Sequence, residues 1–461
     1  MQSQVPVEIT SQTTEPFQNP TDFPPHKKHH IVKILSWVFG IIIGVPIVFI
    51  IIINILGLVY HDSAPKTYPS LEIKAVSVPR AQNAYFDMLN TATQVRIVLS
   101  ATSTPAQKSV AKTALYSAFV RAAQKHVYQD PVAANPNSVS VNSLLPPLND
   151  FRRATILNDA YAIQLAKNGK TSQALTQALA TVFVGNKMTA SQGDIIEYLV
   201  GSKIEKDGLN TLRAIATSTT FSNAKILIKT ASALNGKSDD GSGLAKVFKL
   251  EWHIQKSVIQ SIHTAYMKYL INNIYVTDGT VSTTTAEFFN VALALKPSFY
   301  WHPNETVVYA AKAMQRHLKL SVTSCTLVGK HDTALTQPAS GIPANHLLWY
   351  FTPNIIGKIQ LSILRQSFFL KLKLSQCDGQ ALLRATQLTL ALRAYQIDHH
   401  ALPSSLSELV PNYLYALPLD PYNGKAFHYS SSRGVIYSVG YDGKNSLSSG
   451  GSDAGATFIV K

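Results

Sequence analysis

The sequence predicts a mainly α-helical protein: one membrane-spanning helix, an external all-α domain, and a small C-terminal α+β module with a short antiparallel sheet. Three observations carry this expectation. No charged residue lies between Lys33 and His61. From Pro79 to Leu320, Ala and Leu recur at helical spacing between polar breaks. Beyond His400 the chain breaks into short apolar runs separated by Pro, Gly, Asn and Ser. The expected divisions are a disordered tail at 1–30, the spanning helix at 31–60, the helical domain at 61–350, and a long helix plus α+β module at 351–461.

The tail Gln2–Pro25 is polar, rich in Pro, Thr and Gln, and lacks the apolar surface needed to fold. Ile34–Tyr60 exceeds the roughly 20 apolar residues that cross a bilayer. Trp37 and Tyr60 sit where interfacial aromatics belong, and Gly40, Gly44 and Pro46 are tolerated in a spanning helix. A signal peptide fits less well, because the apolar core is long and no small-x-small cleavage site follows. Lys27, Lys28 and Lys33 precede the run, while Lys66 alone follows it closely. That asymmetry places the N-terminus in the cytoplasm and the bulk beyond the cytoplasmic (inner) membrane.

Hydrophobic residues make up 46% of the chain and charged residues 15%, against a typical ~25%, so a substantial core is expected. The net charge is +15. A basic exterior favours anionic lipid, wall polyanion or nucleic acid as partners. Lys and Arg are scattered, however, with Arg152-Arg153 and Lys371-x-Lys373 the nearest to clusters, so a solvated basic face is the plainer alternative.

Within the helical domain, Ala154, Leu157, Tyr161 and Leu165 share one face, and Asn168-Gly169 ends that helix. The next helix carries Leu175, Leu179 and Val182 and is expected to stop at Gly185-Asn186. Ser191-Gln-Gly-Asp194 reads as a capping box opening a third. The pair looks loosely like a tetratricopeptide hairpin, but no fixed period recurs. Lys249–Tyr275 reads as a longer helix, and Asn235–Gly243 and Thr277–Thr285 as loops. Ile355–Leu374 fits a helix, with strand-like alternation only at Leu370–Leu374. Ala381, Ala385, Leu388, Leu392 and Tyr395 continue it as an apolar stripe that should stop near His399-His400, since Pro403 disfavours helix before it. Asp420-Pro-Tyr-Asn-Gly424 is a turn. Ala426–Tyr429 and Val435–Val439 form a hairpin, and Ala456–Val460 supplies a third strand.

Catalytic signatures are missing. Asn168-Gly-Lys-Thr171 and Asn235-Gly-Lys-Ser238 lack the upstream Gly of a phosphate loop. Ser109-Val-Ala-Lys112 and Ser222-Asn-Ala-Lys225 match an acyl-enzyme pattern without its Lys-Thr-Gly companion. The 14 His include no His-Glu-x-x-His. A non-enzyme is expected, and no small-molecule substrate is evident. An unrecognised cell-wall hydrolase with a scattered site stands as an alternative. Cys325 and Cys377 would pair in an oxidising exterior or remain as two buried thiols; spacing does not choose between them.

The order of features from the Tyr395 helix onward has a known counterpart. It runs through Leu402-Pro-Ser-Ser-Leu-Ser-Glu-Leu-Val-Pro411 and Leu417-Pro-Leu-Asp-Pro421 to Ser438-Val-Gly440-Tyr-Asp442-Gly443. Over residues 378–461 it resembles the soluble C-terminal half of the type II secretion major pseudopilin. The resemblance implies a helix packed on a small sheet, and a place beside a type II secretion or type IV pilus-like system with other envelope proteins as partners. It also implies calcium held by Asp442 and Asp453, with Asn445, Ser448 and carbonyls completing the six to eight oxygens that Ca²⁺ takes. Asp442-Gly443 equally reads as a plain turn. Unlike pseudopilins, the apolar helix contains no Glu, so processing by a prepilin peptidase is not implied. The resulting expectation is a single-pass bacterial envelope protein with a structural or protein-interaction role. The alternatives are an anchored binder of DNA or wall polyanion, and the hydrolase above.

Overall fold

Apolar residues spaced three and four apart become helices through most of the chain, and the short C-terminal runs become strands. The computed structural model describes residues 28–139, 143–237, 240–261, 297–328, 342–343, 346–363, 366–441 and 457–459. Helix α1, Lys28–Val59, belongs to one compact unit, and Tyr60–Lys461 forms the other. Within α1, Trp37–Val59 supplies 23 residues long and apolar enough to cross a membrane. At ~1.5 Å per residue that is about 35 Å, against a hydrocarbon core of ~30 Å.

The second unit opens with α2, Tyr85–Leu99, and α3, Pro105–Gln124. Helix α3 starts on a full capping box: the Gln107 amide donates to the Thr104 hydroxyl, and the Thr104 amide donates to the Gln107 side chain. Then come α4, Leu148–Lys167, α5, Thr171–Ala190, and α6, Ile195–Ser218. The expected α4 stop holds, with Gly169 at φ 74° in the turn. The expected α5 stop does not. The helix passes through Gly185 to Ala190, because that glycine serves a helix crossing and not an end. A Cβ on Gly185 would lie 2.3 Å from the Glu205 backbone nitrogen, and one on Gly208 2.7 Å from that of Val182. The α5 and α6 backbones therefore touch where side chains are missing. The capping residue of α6 is Asp194, whose carboxylate accepts the Glu197 amide at 2.8 Å, three residues later than the Ser191 box would place it.

Helices α7, Lys225–Ala233, and α8, Ser242–Ser261, follow. The Lys249–Tyr275 expectation is met as far as Ser261; its remainder and the Thr277–Thr285 loop lie outside the described residues. Helix α9 spans Pro303–Val322. Its first turn is capped from far away, since Asp62 accepts the amides of Asn304 (3.0 Å) and Glu305 (2.9 Å). Helix α10, Ile355–Ile363, precedes α11, Gln366–His399, which ends where Pro403 implies it should.

Helix α11 lies in a shared core. Leu383, Leu388, Leu390 and Leu392 pack with Leu175, Leu209 and Leu227 of the helical array, and with Leu406, Leu409, Phe427 and Ile436 of the C-terminal module. Residues assigned by sequence to two domains are thus buried together. Strand β1, His428–Ser430, pairs antiparallel with β2, Val435–Tyr437, in the register His428↔Tyr437. Strand β3, Thr457–Ile459, adds to the other edge of β2, giving the order β1-β2-β3.

Candidate functional site

The C-terminal half of α5 carries Phe183, Asn186 and Lys187 on the wall of a groove of about 470 Å³. The facing walls are the extended segment Ile73–Val78, the stretch His126–Gln129 after α3, Lys237 after α7, and Lys246 in the first turns of α8. Four lysines and His126 therefore surround one cavity whose remaining lining includes Val76, Val78, Val127 and Phe183. The ammonium groups of Lys187 and Lys237 each lie 5.6 Å from the centre of the Phe183 ring, within cation–π range.

Two of the lysines also serve helix ends. Lys187 donates to the Ala123 carbonyl at 2.7 Å in the last turn of α3, and Lys246 to the Ala190 carbonyl at 2.7 Å at the end of α5. An ammonium has three donors, so each keeps two. Among the described residues no carboxylate forms an ion pair with Lys74, Lys187, Lys237 or Lys246. Asp240 feels the Lys246 charge, but its carboxylate is occupied by the Ser242 amide at 2.9 Å. Burial, and secondly Lys237, lower the Lys187 pKa to about 8. Burial holds Glu197, whose carboxyl interacts with the lining residue Tyr128, well above the usual carboxylate range, with the Asp130 and Asp194 charges adding to the effect. Such an arrangement attracts anions and presents an apolar face beside them.

The sequence-derived sites fall elsewhere. Cys325 and Cys377 are joined by a disulfide with Cα atoms 5.7 Å apart, linking the single turn Cys325–Val328 to α11. Asp442 and Asp453, the candidate calcium ligands, lie outside the described residues, as do Asn445 and Ser448. Asp420, in the turn before β1, is committed to structure. It is fully buried and accepts from the Tyr422 amide (3.0 Å), the Ser438 hydroxyl (2.9 Å) and the Val439 amide (2.8 Å). Asn168–Thr171 is the α4–α5 turn. Ser109, Lys112, Ser222 and Lys225 are exposed, and so are His399 and His400 at the end of α11. Among the described residues no group of three His, Cys, Asp or Glu is placed to hold a metal ion. No spacing signal marks the groove lysines, because they come from four separate segments.

Compared with protein-family models, curated proteins and solved structures, the chain finds no match.

Proposed function

We propose that this chain is a single-pass membrane-anchored protein of a bacterial envelope, with its bulk outside the cytoplasmic membrane and a structural or protein-interaction role. The observation that carries the reading is the exposure of Trp37–Val59: only 6% of the apolar window is buried. A core helix of a soluble protein would bury an apolar stripe, whereas a spanning helix presents apolar side chains to lipid all round. The second unit supplies a body with its own shared core.

The C-terminal residues 378–461 are read as a pseudopilin-like module. Support comes from the order of elements: a long helix, the Leu402–Pro411 loop, the Asp420 turn and a small antiparallel sheet. With no Glu in α1 beyond Lys33, the reading is of a stationary anchor beside such a system and not a filament subunit. Calcium at Asp442 and Asp453 belongs to the same proposal.

Two measurements test this. After alkaline carbonate extraction, the chain should stay in the membrane fraction with residues 37–59 present by intact mass; a soluble chain beginning after Tyr60 would make the segment a signal sequence. Crosslinking in native membranes should capture other envelope proteins, and a chain that crosslinks to nothing would remove the interaction role. A second reading, an anchored binder of anionic partners, is favoured by the lysine-lined groove.

A further inference from the structure

We propose that the groove between α5, the Ile73–Val78 segment, Lys237 and Lys246 is a binding site for an amphipathic anion: a phosphate or carboxylate group joined to an apolar body of small-molecule size. This rests on the anionic-partner reading and narrows it from a basic surface to one cavity and one ligand chemistry. It does not depend on membrane anchoring.

Volume is the first support. At about 470 Å³ the groove lies within the ~300–1,000 Å³ typical of small-molecule sites. A solvated basic face has no need of a cavity. The arrangement of charge is the second. Lys187 is half-buried, and the exposed Lys237 lies at the same Phe183 ring, so a partly desolvated charge has a second cation close by. Burial, and secondly the Lys237 charge, disfavour the charged form of Lys187, and an anion bound beside its ammonium would offset both. Helix capping explains one donor on Lys187 and one on Lys246. Beyond those bonds and the Phe183 ring beside Lys187 and Lys237, no carboxylate among the described residues pairs with these lysines or with Lys74.

The apolar wall is the third support and separates this ligand class from a bare phosphate. Phe183, Val76, Val78 and Val127 line the same cavity as the ammonium groups. Val76 is 40% exposed and Val127 39%, so the wall retains apolar surface that a ligand would cover. A simple oxyanion would use the lysines and leave this surface wet. A neutral apolar molecule would use the wall and leave the lysines unrelieved. An aryl or acyl group carrying one anion uses both.

The test is calorimetric titration of the full chain in nanodiscs of zwitterionic phosphatidylcholine. Three probes are compared: 1-naphthyl phosphate, inorganic phosphate and the neutral 1-naphthyl glucoside. The naphthyl phosphate should bind one saturable site at least tenfold more tightly than either other probe. Lys187→Gln combined with Lys237→Gln should weaken it tenfold or more. Because Lys187 caps α3, the exposed Lys237→Gln alone is a second variant that leaves the fold intact, and it should weaken binding at least threefold. Phe183→Leu should weaken the naphthyl phosphate and leave inorganic phosphate unchanged. Equal binding of inorganic phosphate would reduce the site to an ion site, and equal binding of the glucoside to an apolar cleft. Either result overturns the proposal, as does the absence of saturable binding or wild-type affinity in Lys237→Gln. None of these outcomes bears on whether the chain is retained in membranes.

Discussion

Asp420 and Ser438 clasp two halves of the C-terminal module: the Ser438 hydroxyl donates to Asp420 Oδ1 at 2.9 Å, and the adjacent Val439 amide to Oδ2 at 2.8 Å. The turn before β1 and the chain leaving β2 are thereby fixed to each other. Removing the carboxylate would strand three donors, of which the Ser438 hydroxyl and the Val439 amide are buried. Each stranded buried donor costs about 1–3 kcal/mol. Asp420→Ala should therefore lower the denaturation free energy by roughly 2–5 kcal/mol, and Asp420→Asn by less, since its remaining carbonyl oxygen still accepts. An unchanged denaturant midpoint in Asp420→Ala would show that the clasp is ornamental.

Two glycine substitutions should act with opposite sign. Gly185→Ala drives a methyl to 2.3 Å from the Glu205 backbone nitrogen, and overpacking of this kind costs about 1–3 kcal/mol or more. Gly379, inside α11, has only the flexible end of Lys206 at 3.8 Å. Gly379→Ala should stabilise by about 0.5–1 kcal/mol through helix propensity. A Gly185→Ala chain that melts no lower than wild type would contradict the close α5–α6 crossing, and a Gly379→Ala chain that melts lower would contradict the open space at that position.

Asp159 predicts a pH dependence. Burial raises its pKa from 3.8 to about 7, while Thr181 donates to its carboxylate at 2.8 Å. The folded state then keeps a proton that the unfolded state releases between roughly pH 4 and 7. This group's contribution is full at acid pH and is lost as pH rises through about 7. Asp159→Asn, which preserves the acceptor for Thr181, should melt higher than wild type at pH 8 and alike near pH 4. The difference should be on the order of 1–4 kcal/mol. A variant less stable than wild type at pH 8 would show that the carboxylate is ionised and paired.

Lys187 predicts a pH dependence of ligand binding. With its pKa near 8, the free groove is partly deprotonated in mild alkali, and an anion favours the charged form. Above about pH 7, where 1-naphthyl phosphate is a dianion, its affinity should fall as pH rises through 8, with proton uptake on binding near that pH. The Lys187→Gln chain should lose this dependence. Heats of binding measured in buffers of different ionisation enthalpy would report the uptake directly.

Much of the fold was legible because local signals and packing agree. The apolar run without charge, the Asn168-Gly169 stop, the His399 stop before Pro403 and the strand positions around residues 428–437 all depend on nearby residues. Gly185 misled because a glycine within a helix reads identically whether it ends the helix or admits a neighbour. Only the distant α6 backbone distinguishes the two cases. The Asp62 cap on α9 was invisible for the same reason, with 242 positions between Asp62 and Asn304. The groove was the least legible feature. Its lysines at 74, 187, 237 and 246 meet only through the fold, so the net charge of +15 could not point to them.

The most direct test of the anchored topology is labelling of single added cysteines in intact cells with a membrane-impermeant maleimide. The native Cys325–Cys377 pair is held as a disulfide and stays silent. Lys66→Cys, in the exposed stem after α1, and Thr13→Cys, in the tail before it, report on opposite sides of the helix. The account predicts that Lys66→Cys labels in intact cells while Thr13→Cys labels only after permeabilisation. Labelling of both in intact cells, or of Thr13→Cys alone, would contradict it.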